Sequence, residues 1–337
     1  MRATSENLAS CHSLAAHQAH PPRRSAPLIP AAYFGIVLGL GGFANSWRVA
    51  HRAWGASAAI GETIFALAAA AWIVVLALYS WKWIAAREAA LIEARHPVQC
   101  CFIGLAGVAT LLIAQGALPY SRALAIALFA AGATFTTGFG VWRTGLLWQG
   151  GRAVEATTSV LLLPVVAGGF VMAATAGAFG WPTWAGLAFG AALFSWLGIE
   201  SVLLHRLYTA APLLPALRPT LGIQLAPPSV GALAYLATGA DPTSLVPQAF
   251  LGFALLQALL LLRLWPWITE QPFAPSYWAV TFGVTALPTA LIKVSAASPS
   301  HAYSDLAFAT FVASNLIMIV VVILTVFWVF RQKSAAP

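Results

Sequence analysis

The sequence predicts an all-α integral membrane protein of about ten transmembrane helices, arranged as five helical hairpins around a central pore with the odd-numbered helices inside. Three observations predict it. The first is composition: 60% of the 337 residues are hydrophobic and 8% are charged, whereas an ordinary soluble domain carries about 25% charged residues. The surplus apolar surface has to face lipid. The second is that the apolar residues fall in runs near the roughly 20 residues a helix needs to cross the hydrocarbon core, with short connections between them. The third is that helix-breaking residues concentrate on alternate runs. The 14 Trp residues suit the belts at the two membrane interfaces.

Residues 1–27 are polar, with Pro21, Pro22, Arg23 and Arg24 just before the first apolar run. They lack the charged, apolar and small-residue regions of a secretory signal and are expected to form a disordered cytoplasmic tail. His12, His17 and His20 lie on it; an adventitious metal contact weighs less than a plain tail. The transmembrane domain is expected over 28–331, followed by a short C-terminal tail at 332–337.

Within that domain the expected spans are 30–54, 59–84, 98–118, 123–148, 160–179, 183–207, 221–238, 245–267, 276–295 and 305–330. The last is the clearest, with Asn315 as its one strongly polar interior residue. The seventh is the weakest, short and broken by Pro227 and Pro228. If the N-terminus is cytoplasmic, the opposite side receives Arg48, Arg52, Arg122 and Lys293, leaving 13 of the 17 Lys and Arg residues inside. That bias supports an even number of spans with both termini in the cytoplasm, in a bacterial inner membrane.

Prolines fall within or at the entry of odd spans: Pro30, Pro97, Pro164, Pro227, Pro228 and Pro288. Glycines accompany them, among them Gly35, Gly39, Gly104 and Gly231. Proline removes a helical hydrogen bond, and in a membrane such breaks are tolerated where they are buried in protein or line a water-filled cavity. The odd spans are therefore expected to form an inner ring. The plainer account, that Gly and Pro only permit close packing, explains some of these residues and accounts less well for their alternation, though the fourth and sixth spans carry glycines too. The small-xxx-small pairs GIVLG (35–39) and GLAFG (186–190) are read as packing within the subunit.

Several function classes drop out. The net charge of +8 comes without a basic run, so no nucleic-acid partner is expected. Cys100 and Cys101 are adjacent in an apolar stretch and Cys11 is on the tail, which makes neither a disulfide framework nor a metal site. No H-E-x-x-H, G-x-S-x-G or Walker loop occurs, so neither a catalytic residue nor a cofactor is expected. Ionisable residues inside spans are few and near their ends: Glu62, Glu200, His205 and Lys293. Glu200 reads either as a proton or cation relay or as a structural ion pair with Arg206 or a loop arginine. The ion pair weighs more, because no second buried acid accompanies it. Anion movement is then left to exposed backbone N–H groups and positive helix N-termini.

Several segments together resemble the tellurite-resistance TehA family, whose wider group includes plant slow-type anion channels and fungal malate transporters. They are PAAYFGIVLGLGGFANSWR from Pro30, EARHPV from Glu93, EATTSVLLLPVVAGGF from Glu155, FSWLGIESVLLHRL from Phe194, LGIQLAPPSVGALAYL from Leu221 and LRLWPWITEQPFAPSYWAVTFGVTAL from Leu262. The resemblance implies ten helices in five hairpins and a homotrimer with one pore per subunit. It also implies a phenylalanine gate on the ninth helix, where Phe282 is the matching position. Pore-lining positions are expected near Gly35, Gly39, Gly104, Pro164, Pro228 and Gly231. The partners implied are the lipid bilayer and small inorganic or organic anions. A Phe-gated anion channel, with a possible link to tellurite resistance, is the first expectation; a proton-coupled C4-dicarboxylate or malate transporter is the alternative.

Overall fold

The computed structural model describes residues 28–298 and 300–334. The expected N-terminal tail, with Cys11, His12, His17 and His20, lies outside the described residues. At the other end the final helix, His301–Ser334, continues past the boundary expected at 331.

The described chain is helical, without a strand, and its helices are of two kinds. Even-numbered spans are long and unbroken: Ala58–Ala85, Arg122–Trp148, Pro182–Thr209, Leu245–Ile268 and His301–Ser334. Odd-numbered spans each start as a tight 3-10 or π stretch and relax into an α-helix. The 3-10 turn Ala31–Tyr33 leads into Phe34–Trp54, and Gln99–Gly104 into Leu105–Ala117. Ser159–Leu162 and the π turn Leu163–Ala167 lead into Gly168–Ala178; Pro215–Leu225 leads into Ala226–Ala237, and Pro275–Val280 into Thr281–Ser295. Proline explains much of this. Pro164, Pro227 and Pro275 sit in the first two positions of their segments, where a missing N–H costs little, and Pro219 lies inside the 3-10 run that enters the seventh span.

Burial follows the same alternation. In the third span 94% of the most apolar stretch is buried inside the protein, against 17% in the second and the tenth. Each odd span packs on the even span that follows it, giving five hairpins. The odd spans also touch in sequence order, first on third, third on fifth, fifth on seventh, seventh on ninth, and the ninth closes on the first. Large apolar side chains such as Leu67, Ile73, Leu197, Leu259 and Phe327 point outward from the even spans, a surface that belongs in hydrocarbon.

Among the described residues eight helices are long and apolar enough to cross a membrane, where the sequence predicts ten. The first and seventh fall short for different reasons. Arg48 and Arg52 occupy the last turns of Phe34–Trp54, and the seventh has only 12 residues of α-helix after its 3-10 entry. Both are nevertheless members of the inner ring.

Contacts inside the ring are close. A Cβ added to Gly283 would come within 2.8 Å of the Ala226 backbone nitrogen, so glycine lets the seventh and ninth spans meet where both change helix type. Gly55 ends the first span at φ 68°, a left-handed conformation that spares it the Cβ penalty of other residues. The GLAFG pair behaves differently from expectation: Gly186 and Gly190 meet nothing within 4 Å, so they face outward instead of packing inside the subunit. Asn315, on the last span, accepts a hydrogen bond from the Trp47 indole at 3.0 Å, which ties the tenth span to the first.

A buried ion pair fixes the start of the ring. The Lys82 ammonium donates to Oε2 of Glu93 at 2.8 Å, and Oε1 of Glu93 accepts the Ala31 N–H at 2.8 Å. Lys82 also reaches the Ile29 carbonyl at 3.4 Å. The end of the second span and the short helix Arg87–Arg95 thereby hold the entry to the first.

Candidate functional site

Two cavities lie along the centre of the ring and meet at Phe282. The proximal one, on the side where the odd spans begin, has a volume of about 50 Å³. Its wall includes Gly35, Leu38, Leu105, Leu163, Pro227 and Val230, and Ser276 supplies its one side-chain hydroxyl. Residues at or next to the first turn of every inner α-helix reach it: Gly35, Leu105, Ala167, Ala226 and Phe282.

The distal cavity is larger, about 250 Å³, and polar where the first is apolar. Asn45, Arg48, Arg52, Gln115, Thr289 and Lys293 line it together with apolar residues of the first, third, fifth, seventh and ninth spans. Among the described residues no aspartate or glutamate lines either cavity. Arg48 is already neutralised. Its Nε and Nη2 donate to the Glu62 carboxylate at 2.9 and 2.6 Å, its Nη1 donates to the Gly116 carbonyl at 3.1 Å, and its guanidinium stacks over Phe65. The Tyr120 hydroxyl donates to the same carboxylate. Asn45 donates to Gln115 at 3.4 Å.

Phe282 and Val230 are the two residues that border both cavities. The Phe282 ring is buried, 8% exposed, and lies over Gly42. It stands at the second position of the ninth α-helix, where the preceding 3-10 turn aims it inward.

The six positions expected to line the pore divide unevenly. Gly35 lines the proximal cavity. The other five are turned away from it. Gly39 packs on Thr281 and Trp278, Gly104 on Phe139 of the fourth span, and Gly231 on Phe250 and Phe170. Pro164 borders an outer groove between the fourth and sixth spans, and Pro228 is buried away from both cavities. In each case a sequence neighbour lines the proximal cavity instead: Leu38, Leu105, Leu163, Pro227 and Val230. Successive helical residues are rotated by about 100°, so a lining residue and its neighbour face different things. Glycine and proline mark where the helices bend and touch; the bulkier neighbours point inward.

Glu200 also departs from expectation. It borders neither cavity, and its Oε1 accepts a hydrogen bond from Gln224 at 3.2 Å. The expected pair with Arg206 does not form. The ion pairs among the described residues are Arg48–Glu62, Lys82–Glu93 and Arg218–Glu270. Arg206 lies six residues beyond Glu200 on the same helix, so the two side chains leave different faces of it. The cationic distal cavity is the feature that the sequence reading missed. The sequence places Arg52 and Lys293 on one membrane side, and Lys293 among the ionisable residues of the spans, but it does not bring the two together, because they come from spans far apart in the chain.

Residues 29–326 match the voltage-dependent anion channel (SLAC1) family. A curated relative, the tellurite resistance protein TehA homolog of Haemophilus influenzae, is 29% identical over 300 residues, which covers 89% of this chain and 90% of the relative. The match spans all five hairpins and both central cavities, and on that extent the chain belongs to the voltage-dependent anion channel family, a group of multi-pass membrane proteins of anion transport.

Proposed function

We propose that the protein conducts small anions through the centre of its helical ring and that Phe282 is the gate. The observation that carries the reading is the position of Phe282 between an apolar cavity of about 50 Å³ and a cationic one of about 250 Å³, with no carboxylate among the described residues lining either. The N-terminal ends of five α-helices gather around the narrower cavity, and helix N-termini attract anions through aligned peptide dipoles. Such attraction is gentle enough to let an ion leave again.

The same reading takes all ten apolar segments as membrane crossings, with both termini cytoplasmic in a bacterial inner membrane, and three copies per assembly with one passage each. A part in tellurite resistance follows the name of the Haemophilus relative. The proton-coupled dicarboxylate carrier finds less support, because Glu200, the acid it would use, stands outside both cavities.

The test is an anion current. Phe282→Ala, expressed in oocytes or reconstituted in bilayers, is expected to raise anion conductance well above wild type under ion substitution. An unchanged current at normal surface expression would remove the gate.

A further inference from the structure

We infer that the distal cavity is an anion-binding antechamber, built by Arg52 and Lys293, that takes a small dianion in preference to a monovalent anion. The inference rests on the anion-passage reading for its purpose, but its evidence and its test are separate from the gate.

Charge bookkeeping within the cavity gives the argument. Three cations line it, and Arg48 is held by the Glu62 carboxylate. Arg52 and Lys293 make no hydrogen bond or ion pair with any described residue. Lys293 and Arg52 stand in the last turns of the ninth and first α-helices, and both side chains are exposed where they line the cavity. Two unneutralised cations sharing about 250 Å³ repel one another. A single chloride relieves half of that charge; a dianion relieves all of it.

The other lining groups suit an oxygen-rich ligand. The Gln115 carboxamide accepts from Asn45 through its oxygen, which leaves its NH₂ free to donate. Arg52 adds the planar fork that matches paired oxygens. A volume of about 250 Å³ holds a tetrahedral oxyanion or a short dicarboxylate together with water. The apolar floor of Phe282, Val230 and Leu233 offers such an ion no ligand, so it would wait in the antechamber until the ring moves.

Ala174 lines the same cavity and is half-buried. In detergent-solubilised protein carrying Ala174→Cys, modification at residue 174 by an anionic methanethiosulfonate reagent is followed by mass spectrometry. Sodium sulfate is expected to protect residue 174 at concentrations roughly tenfold lower than sodium chloride at matched ionic strength, because each added ligand charge strengthens attraction to both cations. Arg52→Gln and Lys293→Gln are each expected to abolish the difference. As a check independent of labelling, sulfate should raise the unfolding temperature of the unmodified protein more than chloride does, and in the double variant that gap should shrink to what salt exclusion from the protein surface gives. Equal protection by the two salts, a sulfate preference in protection that survives in the double variant, or no modification at residue 174 of the folded protein would each overturn the proposal. None of these readings requires current, so loss of the gate and loss of the antechamber are distinguishable.

Discussion

The ring of Phe282 rests against Gly42: a Cβ at position 42 would lie 3.2 Å from Cδ2 and 3.5 Å from Cε2 of that ring. Glycine on the first span therefore gives the phenylalanine of the ninth span its resting place. Gly42→Ala has to displace the ring or its neighbour Thr285, whose hydroxyl is also in the way. The expected outcome is a raised basal anion current, smaller than that of Phe282→Ala. In the Phe282→Ala background Gly42→Ala should add nothing, since there is no ring left to move. Additive increases in the double variant would show that Gly42 acts elsewhere.

The pair Lys82–Glu93 offers a stability test of the other end of the ring. Both side chains are buried, at 7% and 8% exposure, and Glu93 is also the acceptor for the Ala31 N–H. Removing one member strands the other charge, which costs about 3–5 kcal/mol for a buried pair. Lys82→Met and Glu93→Gln are each expected to lower the thermal unfolding midpoint in detergent by many degrees. Lys82→Met combined with Glu93→Leu should recover part of the loss, because no unpaired charge remains. A double variant that unfolds earlier than either single one would refute the stranded-charge account.

How much of this was legible in the sequence depends on the kind of signal. The ring and its outer shell follow from hydropathy and from the placement of Pro30, Pro97, Pro164, Pro227 and Pro288, because broken helices need protein around their backbones. The direction of individual side chains does not follow. Gly104 and Leu105 are adjacent, yet Gly104 meets Phe139 while Leu105 borders the cavity. Glycine signals close approach of another chain segment without saying which one. The antechamber was invisible for a different reason: Arg52 and Lys293 share no motif, and only the closure of the ninth span on the first brings them to one wall.

The loop between the seventh and eighth spans makes a pH prediction. Asp241 accepts the Thr243 N–H at 2.8 Å and the Thr243 hydroxyl at 2.8 Å. The backbone hydrogen bond foremost, and then the hydroxyl, hold its carboxyl below the usual range. A group whose pKa is lowered on folding contributes stability that is present above its unfolded pKa, about 3.9, and lost as pH falls below that value. Amide exchange at Thr243, corrected for intrinsic rates, is expected to be slow near neutrality and to quicken as the pH drops through the range below 4. Asp241→Asn should weaken protection near neutrality, where the carboxylate is charged, and flatten the dependence. A pH-independent protection in the wild type would contradict the assignment.

Glu200 decides between a passive passage and a coupled carrier. A carrier that moves a proton with its substrate needs a titratable group within reach of the path. Here the carboxylate is buried on the sixth span and accepts from Gln224 of the seventh, and no acid among the described residues lines either cavity. Glu200→Gln keeps the shape and the hydrogen-bonding capacity toward Gln224 while removing the proton site. In the Phe282→Ala background it is expected to leave both the anion current and its dependence on the proton gradient within about twofold of the parent, as befits a group that only positions two helices. Saturable, proton-driven malate uptake in proteoliposomes that Glu200→Gln abolishes, at unchanged protein stability, would reverse the order of the two readings. It would also require that the sixth span rotate Glu200 toward the ring centre, a movement visible as new labelling at position 200.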